Sequence, residues 1–190
     1  MIRPLAFVTF VAASATGAVA NEFGPAMTSF YENSISSFTD APELIEAIRA
    51  GNIVSAGYSQ ADIDGLDQTW RAEVGTGSSP TIERVLQNPA SDYLRDIVAN
   101  AGGAITEVFV MDARGLNVAA SDVTSDYWQG DEAKFIETFP AGPGAVHFGE
   151  VEFDESTQTY QGQISVAVTD PGTNEVIGAL TVGVNADALF

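Results

Sequence analysis

The chain has 190 residues, of which 26 are acidic and only 7 are Lys or Arg, giving a formal net charge of −19. This length suits one domain with a substantial core, and 45% hydrophobic with 17% charged residues is typical of a folded protein. The negative charge excludes nucleic acid and anionic lipid as expected partners, because both would be repelled. The lack of cysteine excludes disulfides, thiolate metal sites and a lipidated N-terminal cysteine.

The first twenty residues have the pattern of a secretory signal peptide. Arg3 supplies the positive charge, residues 5–13 are apolar apart from Thr9, and Ala18-Val19-Ala20 is a small-x-small cleavage pattern. An uncleaved anchor is the alternative, but the apolar stretch is short for a spanning helix, which needs about 20 residues. We therefore expect cleavage, a mature domain over residues 21–190 in the periplasm, and no direct membrane insertion of the mature chain.

The first half of this domain, residues 21–103, is predicted to be mainly helical. Asp40-Ala41-Pro42-Glu43 has the chemistry of a helix start with Asp40 as the cap, and Gly51 is the predicted end of that helix. Ser59 and Asp62 predict the capped start of a second helix. Two further helical stretches are expected over residues 80–86 and 91–101.

The second half, residues 104–190, is predicted to be mainly sheet. Two apolar runs, 108–111 and 116–120, flank a four-residue turn and predict a hairpin. Alternation over residues 158–169 predicts a strand with one buried face, and the last strand is expected over 176–184. The apolar positions change face near Gly149, which predicts a β-bulge. The fold class is therefore α+β: a five-stranded antiparallel sheet with the N-terminal helices packed on one face.

This order of elements resembles the extracellular PAS-like sensor domains called Cache or PDC domains. The resemblance is densest in VFVMDARGLNVAAS, SDYWQGDEAKF and VIGALTVGVN. It implies that the segment after the second strand, residues 122–135 (the connector), lies over the sheet as a lid and that small ligands, often carboxylates or amino acids, bind between the two.

Cache domains usually sit between two membrane helices of a chemoreceptor or histidine kinase. This sequence ends at Phe190, directly after the predicted last strand. The expectation is therefore a free-standing periplasmic form that acts in signal transduction through a membrane receptor or kinase.

Two adjacent aromatic residues in the connector are the strongest ligand-contact candidates. Tyr127 and Trp128 could wall a small pocket with polar tips that orient a ligand; the alternative is that both cover the sheet as core. Lys134, the chain's only lysine, could hold a carboxylate, or it could form a surface ion pair with Asp131 or Glu132.

The remaining candidates are acidic or lie on later strands. Asp126 and Asp131 could bind an ammonium group or a hard cation, although their spacing does not match a calcium loop and a solvated acidic loop is the alternative. Tyr160 and Gln163 could reach a ligand, depending on which face of their strand meets the connector. The sole histidine, His147, is expected at a pocket edge or on the surface.

These residues favour a sensor-type module that binds a small polar metabolite, a carboxylate or an amino-acid-like molecule. No catalytic residue, metal or cofactor is predicted, because the sequence contains one histidine, no cysteine, and no recognisable triad or phosphate-loop motif. An envelope protein-interaction module without a small-molecule ligand is the alternative. A less favoured interpretation is an enzyme that uses a pair of carboxylates for acid–base chemistry.

Overall fold

The computed structural model describes residues 22–154 and 159–190, so the predicted signal peptide lies outside the described residues. The helices are α1 (Gly24–Phe30), followed by a π-helical turn (Tyr31–Ile35), α2 (Pro42–Ser55), α3 (Gln60–Glu73), α4 (Pro80–Leu86), α5 (Pro89–Asn100) and α6 (Ala133–Ile136). The strands are β1 (Ile105–Asp112), β2 (Asn117–Ala120), β3 (Val146–Phe148), β4 (Glu152–Asp154), β5 (Thr159–Thr169) and β6 (Val176–Asn185). Two 3₁₀ turns complete the elements, Phe139–Ala141 and Ala186–Leu189.

The strands form one antiparallel sheet in the order β2-β1-β6-β5, with β3 and β4 both paired to the outer side of β5. The six strands of the described residues thus occupy five positions, and the α+β fold class is confirmed. Phe148 pairs with Ile164 and Glu152 with Gln161, so the outer strand carries one residue more than β5 between these pairs. The Gly149 N–H still donates to the Gln163 carbonyl at 2.8 Å, so the bulge predicted at Gly149 is present and its extra residue lies directly after that glycine.

Apolar side chains project from both faces of the sheet, and a different set of elements packs against each face. On the first face, Val108 and Val110 of β1 pack with Leu44 and Ile48 of α2 and with Leu94 of α5. The second face is covered by α3, α4 and the connector, and its buried cluster contains Trp70, Ile82, Val85, Phe109, Met111, Ala120, Phe135 and Ala179. We predicted that all N-terminal helices would pack on one face. In the structure, α3 and α4 pack on the other face, because β1 carries apolar side chains on both sides.

Helix boundaries agree with the capping chemistry at α3 and differ from it at α2. Ser59 and Asp62 form the predicted capping box, with the Ser59 N–H donating to Asp62 Oδ2 at 2.8 Å. The predicted Asp40 cap is wrong, because Ala41 precedes α2 and no side chain caps its first turn. The predicted end at Gly51 is also wrong. A Cβ at this position would overlap Val118, so the glycine allows α2 to approach β2 closely.

None of the helices in the described residues is long and apolar enough to cross a bilayer.

Candidate functional site

The connector runs beside the β1–β2 hairpin and then over the second face of the sheet. Its Tyr127 carbonyl accepts from the Asn117 N–H at 3.0 Å, and its Gln129 N–H donates to the Gly115 carbonyl at 2.8 Å. Further along, Phe135 is buried in the cluster on the second face. The connector therefore lies over the sheet, as the family resemblance implies.

A buried carboxylate on α3 fixes the start of the connector. Asp67 Oδ1 accepts from the Tyr127 N–H at 2.9 Å and from the Trp128 N–H at 3.1 Å. Arg71 bridges two carboxylates, with 2.7 Å to Asp67 Oδ2 and 2.8 Å to Asp126 Oδ1. Asp126 therefore forms an ion pair with Arg71 of α3 and is not an isolated acid in a solvated loop. Asp67 was not among the sequence candidates, because a single acid on an amphipathic helix is normally solvent-exposed.

The two aromatic candidates are both integrated into the fold. The Tyr127 ring stacks on Trp70 with 5.4 Å between centroids, and Trp128 Nε1 donates to the Arg114 carbonyl at 2.8 Å. Burial, together with the negative charge of Asp112, raises the pKa of Tyr127 to about 12. The space directly under Tyr127 is therefore occupied by core side chains, and neither aromatic residue lines the cavities around Lys134.

Two adjoining cavities lie between the connector and the sheet, and together they form what we call the connector cleft. The inner cavity, of about 360 Å³, is lined by Glu107, Phe109, Val123, Thr124, Ser125, Gln129, Lys134, Gln161 and Gln163. The outer cavity, of about 570 Å³, shares Lys134, Gln161 and Gln163 and continues along β3 and β4 past His147, Glu150 and Glu152. Both volumes lie within the range of about 300–1,000 Å³ typical of small-molecule pockets.

Lys134 is the central cation of the connector cleft. Its Nζ lies 3.0 Å from Glu132 Oε2, donates to Gln129 Oε1 at 3.2 Å, and lies 5.3 Å from the centroid of the Phe109 ring. The predicted pairing with a neighbouring acid is therefore present, but only 15% of the Lys134 side chain is exposed. A cation held this way between a carboxylate and an aromatic face costs desolvation and points into the cleft rather than into bulk solvent.

The floor of the cleft is formed by polar side chains of β1 and β5. Gln163 Nε2 donates to Glu107 Oε1 at 3.3 Å, and Thr106 Oγ1 donates to Gln161 Oε1 at 2.8 Å. The face of β5 that carries Gln163 is thus the face that meets the connector. Gln129, which is 1% exposed, supports Lys134 and was missed because buried glutamine has no sequence signature.

Of the other candidates, Tyr160 and Asp131 lie apart from Lys134 and Gln163, whereas His147 lines the outer cavity with them. Tyr160 belongs to the opposite face of β5, is 61% exposed, and contacts the Phe153 ring at 5.3 Å between centroids. Asp131 is exposed on the connector. His147 lines the outer cavity, as expected for a residue at a pocket edge. The structure therefore brings together Lys134 and Gln163 and leaves the remaining five candidates outside the cleft.

No protein-family model matches the sequence, and no curated protein matches it. Among solved structures, the chain is similar to the sensor domain of the V. cholerae histidine kinase DctB, with a TM-score of 0.47 and 14% identity over 88% of this chain and 53% of that chain. It is also similar to the ligand-binding domain of the Campylobacter jejuni chemoreceptor Tlp3 in complex with L-valine, with a TM-score of 0.43 and 13% identity over 85% of this chain and 64% of that chain.

The first of these structures is the sensor domain of a histidine kinase and the second is the ligand-binding domain of a chemoreceptor. The chain spans between half and two thirds of the length of these two structures. The fold of this chain is described by its strand order and by the buried clusters on the two faces of its sheet.

Proposed function

We propose that the chain is a sensor-type ligand-binding module that takes up a small polar metabolite in the connector cleft. The observation that carries this proposal is Lys134, a largely buried cation whose Nζ lies on a cavity wall next to hydrogen-bonding glutamines. A binding protein, rather than an enzyme, is the function that this lining supports: it offers charges and amides that orient a ligand.

The charges in the cleft favour an amino-acid-like ligand over a simple carboxylate. Lys134 can hold a carboxylate as a point charge, while Glu107, Glu150 and Glu152 line the same cavities and can hold an ammonium group. A zwitterion satisfies both signs. A dicarboxylate would place its second charge among these acids, at a cost in free energy.

Ligand binding would be transmitted by a population shift. A ligand that contacts both Lys134 and the floor of β5 stabilises the closed position of the connector. The connector is hydrogen-bonded to α3 through Asp67, so closure favours one position of α3 relative to the sheet. In this proposal the module works in the periplasm after signal-peptide cleavage and presents that state to a membrane receptor or kinase.

Calorimetric titration with the proteinogenic amino acids and with small dicarboxylates tests the site. We expect Lys134→Gln to weaken binding of the best amino acid by about tenfold or more, because a hydrogen bond to a charged group contributes about 1.5–3 kcal/mol. Arg95→Gln removes the same charge from a half-buried position on α5 that lines neither cavity of the cleft; it is the matched control and should bind normally. Equal affinity of Lys134→Gln and the wild type would place the ligand elsewhere.

A protein-interaction module is the second candidate, and one observation favours it. The space between Tyr127 and the sheet is filled by Trp70 and the buried cluster on the second face, so neither Tyr127 nor Trp128 walls the connector cleft. Under this candidate, no compound of the panel binds and the wild type behaves like Lys134→Gln throughout.

A further inference from the structure

A further cavity lies where α2 and α4 meet the β1–β2 hairpin; we call it the hairpin cavity. Its volume is about 320 Å³, at the lower end of the range of about 300–1,000 Å³ for small-molecule pockets. It shares no lining residue with either cavity of the connector cleft. It is therefore a separate candidate site, and the proposed function does not use it.

Most of the wall of the hairpin cavity is apolar. Ala47 and Val54 of α2, Val85 of α4, and Leu116 and Val118 of the hairpin all line it. The Val54 side chain is 62% exposed at the rim, whereas Leu116 is fully buried in the wall. Such a wall stabilises a ring or a branched hydrocarbon chain by removing its surface from water, at about 25 cal/mol per Å².

An unpaired arginine lies at the mouth of this cavity. Five of the six basic residues in the described ranges have a hydrogen-bond or ion-pair partner: Arg49 with Asp170, Arg71 with Asp67 and Asp126, Arg95 with Asp92, Arg114 with the Tyr58 carbonyl, and Lys134 with Glu132. Arg84 is exposed, lines the cavity and has no such partner within residues 22–154 and 159–190. Burial raises the pKa of Glu73, whereas hydrogen bonds and, from a distance, the Arg84 charge lower it below its ordinary value. Because the Arg84 guanidinium makes no direct ion pair among the described residues, its N–H groups are available to an anionic ligand.

Polar groups of the wall add hydrogen-bonding capacity beside Arg84. Tyr127 lines the cavity together with Tyr58 and Asp112, and burial followed by the Asp112 charge raises the pKa of its hydroxyl. With a pKa of about 12 this hydroxyl stays protonated at neutral pH and can donate. Two buried atoms of lining residues, Ser55 Oγ and Asn117 Oδ1, have no hydrogen-bond partner among the described residues.

We propose that the hairpin cavity binds a small apolar carboxylic acid, with its ring or branched chain on the apolar wall and its carboxylate on Arg84 and the Tyr127 hydroxyl. Glu43 and Glu46 line the α2 side of the cavity and are exposed. They repel a carboxylate from that side. Asp112 also lines the cavity, but its carboxylate accepts the Arg114 and Leu116 N–H groups, so Arg84 on α4 is the group left to hold a ligand carboxylate.

The test uses the purified chain and three acids, benzoate, phenylacetate and 3-methylbutanoate, each paired with its neutral amide and with benzylamine as the cationic comparison. Amide chemical shifts in ¹H–¹⁵N NMR titrations locate binding and give affinities. We expect the acids to shift the amides of α2 and the hairpin around Val54 and Val118, and each acid to bind more tightly than its amide.

Two variants on exposed positions keep the test independent of folding defects. Arg84→Gln should weaken the acids by about tenfold or more and leave the amides unchanged. Ala50→Leu, on the exposed side of α2 where it lines the cavity, should weaken acids and amides alike by filling the space. Arg95→Gln is the matched charge control and should bind as the wild type does.

Failure of this proposal is distinguishable from failure of the connector cleft, because Lys134→Gln should leave the binding of all three acids unchanged. The proposal is overturned if none of the acids shifts amides at the hairpin cavity, if acids and amides bind equally, if benzylamine binds more tightly than benzoate, or if Arg84→Gln changes nothing.

Discussion

At the scale of single residues, Asp67 determines how the connector sits on the helices. Its carboxylate is 8% exposed and accepts two connector N–H groups while pairing with Arg71. Removing it would leave those two backbone donors without a protein acceptor and one guanidinium with a single remaining partner. A buried N–H group that is left without an acceptor costs more free energy than a typical hydrogen bond contributes to stability.

We expect Asp67→Ala to lower the free energy of unfolding by about 2–3 kcal/mol. Urea denaturation followed by circular dichroism measures the loss. Asp64→Ala is the control on the same helix, since Asp64 is exposed and accepts only from Gln60 at 2.8 Å; it should cost less than about 0.5 kcal/mol. Similar losses in both variants would show that Asp67 does not hold the connector.

Two glycines should respond to alanine in opposite directions. Gly115 has φ +77° and a Cβ there would lie 2.5 Å from the Gly130 Cα, so Gly115→Ala combines backbone strain with overlap against the connector. Gly65 lies inside α3 with nothing near its Cβ position. We expect Gly115→Ala to destabilise by about 2 kcal/mol or more and Gly65→Ala to stabilise by about 0.5–1 kcal/mol. Thermal unfolding of both variants checks the two signs.

The candidate residues were only partly accessible from sequence. Lys134 was a candidate because it is the only lysine in an acidic chain. Gln163 was a candidate because apolar and polar residues alternate clearly along β5. Tyr127 and Trp128 were chosen for their chemistry, but the sequence does not show that Trp70, far away in the chain, stacks on Tyr127. Long-range contacts of this kind leave no local pattern.

At the scale of elements, one ion pair joins α2 to the turn between β5 and β6. Arg49 Nε and Nη2 each donate to an Asp170 carboxylate oxygen at 2.7 Å. The Arg49 guanidinium and, secondarily, the Gly172 N–H hold the pKa of Asp170 below its ordinary value of 3.8. A lowered folded-state pKa stabilises the fold above the unfolded value, and this stability is lost as pH falls through the folded-state pKa.

The wild type and Asp170→Asn should therefore differ in free energy of unfolding by a constant amount above about pH 5. We expect that difference to shrink as the pH falls below 3.8, because the unfolded carboxylate takes up its proton first. Denaturant titrations at stepped pH measure it. Arg49→Gln should follow the same trend; a difference that persists to about pH 2 would show that Asp170 keeps its ordinary pKa.

Element boundaries could be predicted where they depend on local chemistry. The box at Ser59 and Asp62 and the bulge at Gly149 follow from neighbouring residues, and both are present. The prediction that α2 ends at Gly51 was wrong, because the sequence does not distinguish a glycine at a helix end from a glycine at a contact between a helix and a strand. The two-sided cover of the sheet depends on which elements pack together, and periodicity within each element does not specify that.

At the scale of the whole molecule, the net charge of −19 opposes compaction through self-repulsion. Of the six basic residues described, five are already paired with groups of the protein. Most acidic side chains therefore have no cationic neighbour, and mobile ions are the remaining source of screening.

Raising NaCl from about 0.01 M to about 0.15 M shortens the screening length from about 30 Å to about 8 Å. We expect the thermal midpoint to rise, by about 2–4 °C for each kcal/mol of repulsion relieved in a chain of this size. Choline chloride at the same ionic strength should give the same rise. A rise with sodium alone would point to a specific ion site, and an unchanged midpoint would contradict the role of repulsion.

The divided outer strand has a consequence for encounters between copies of the chain. One border of the sheet is formed by β3 and β4, each three residues long and offset by the bulge, and the other border by β2, four residues long. Neither edge of the sheet offers a long straight row of free N–H and C=O groups with which a strand of a second molecule could pair. The architecture thereby guards against fibril growth at the concentrations that a protein reaches in a crowded compartment.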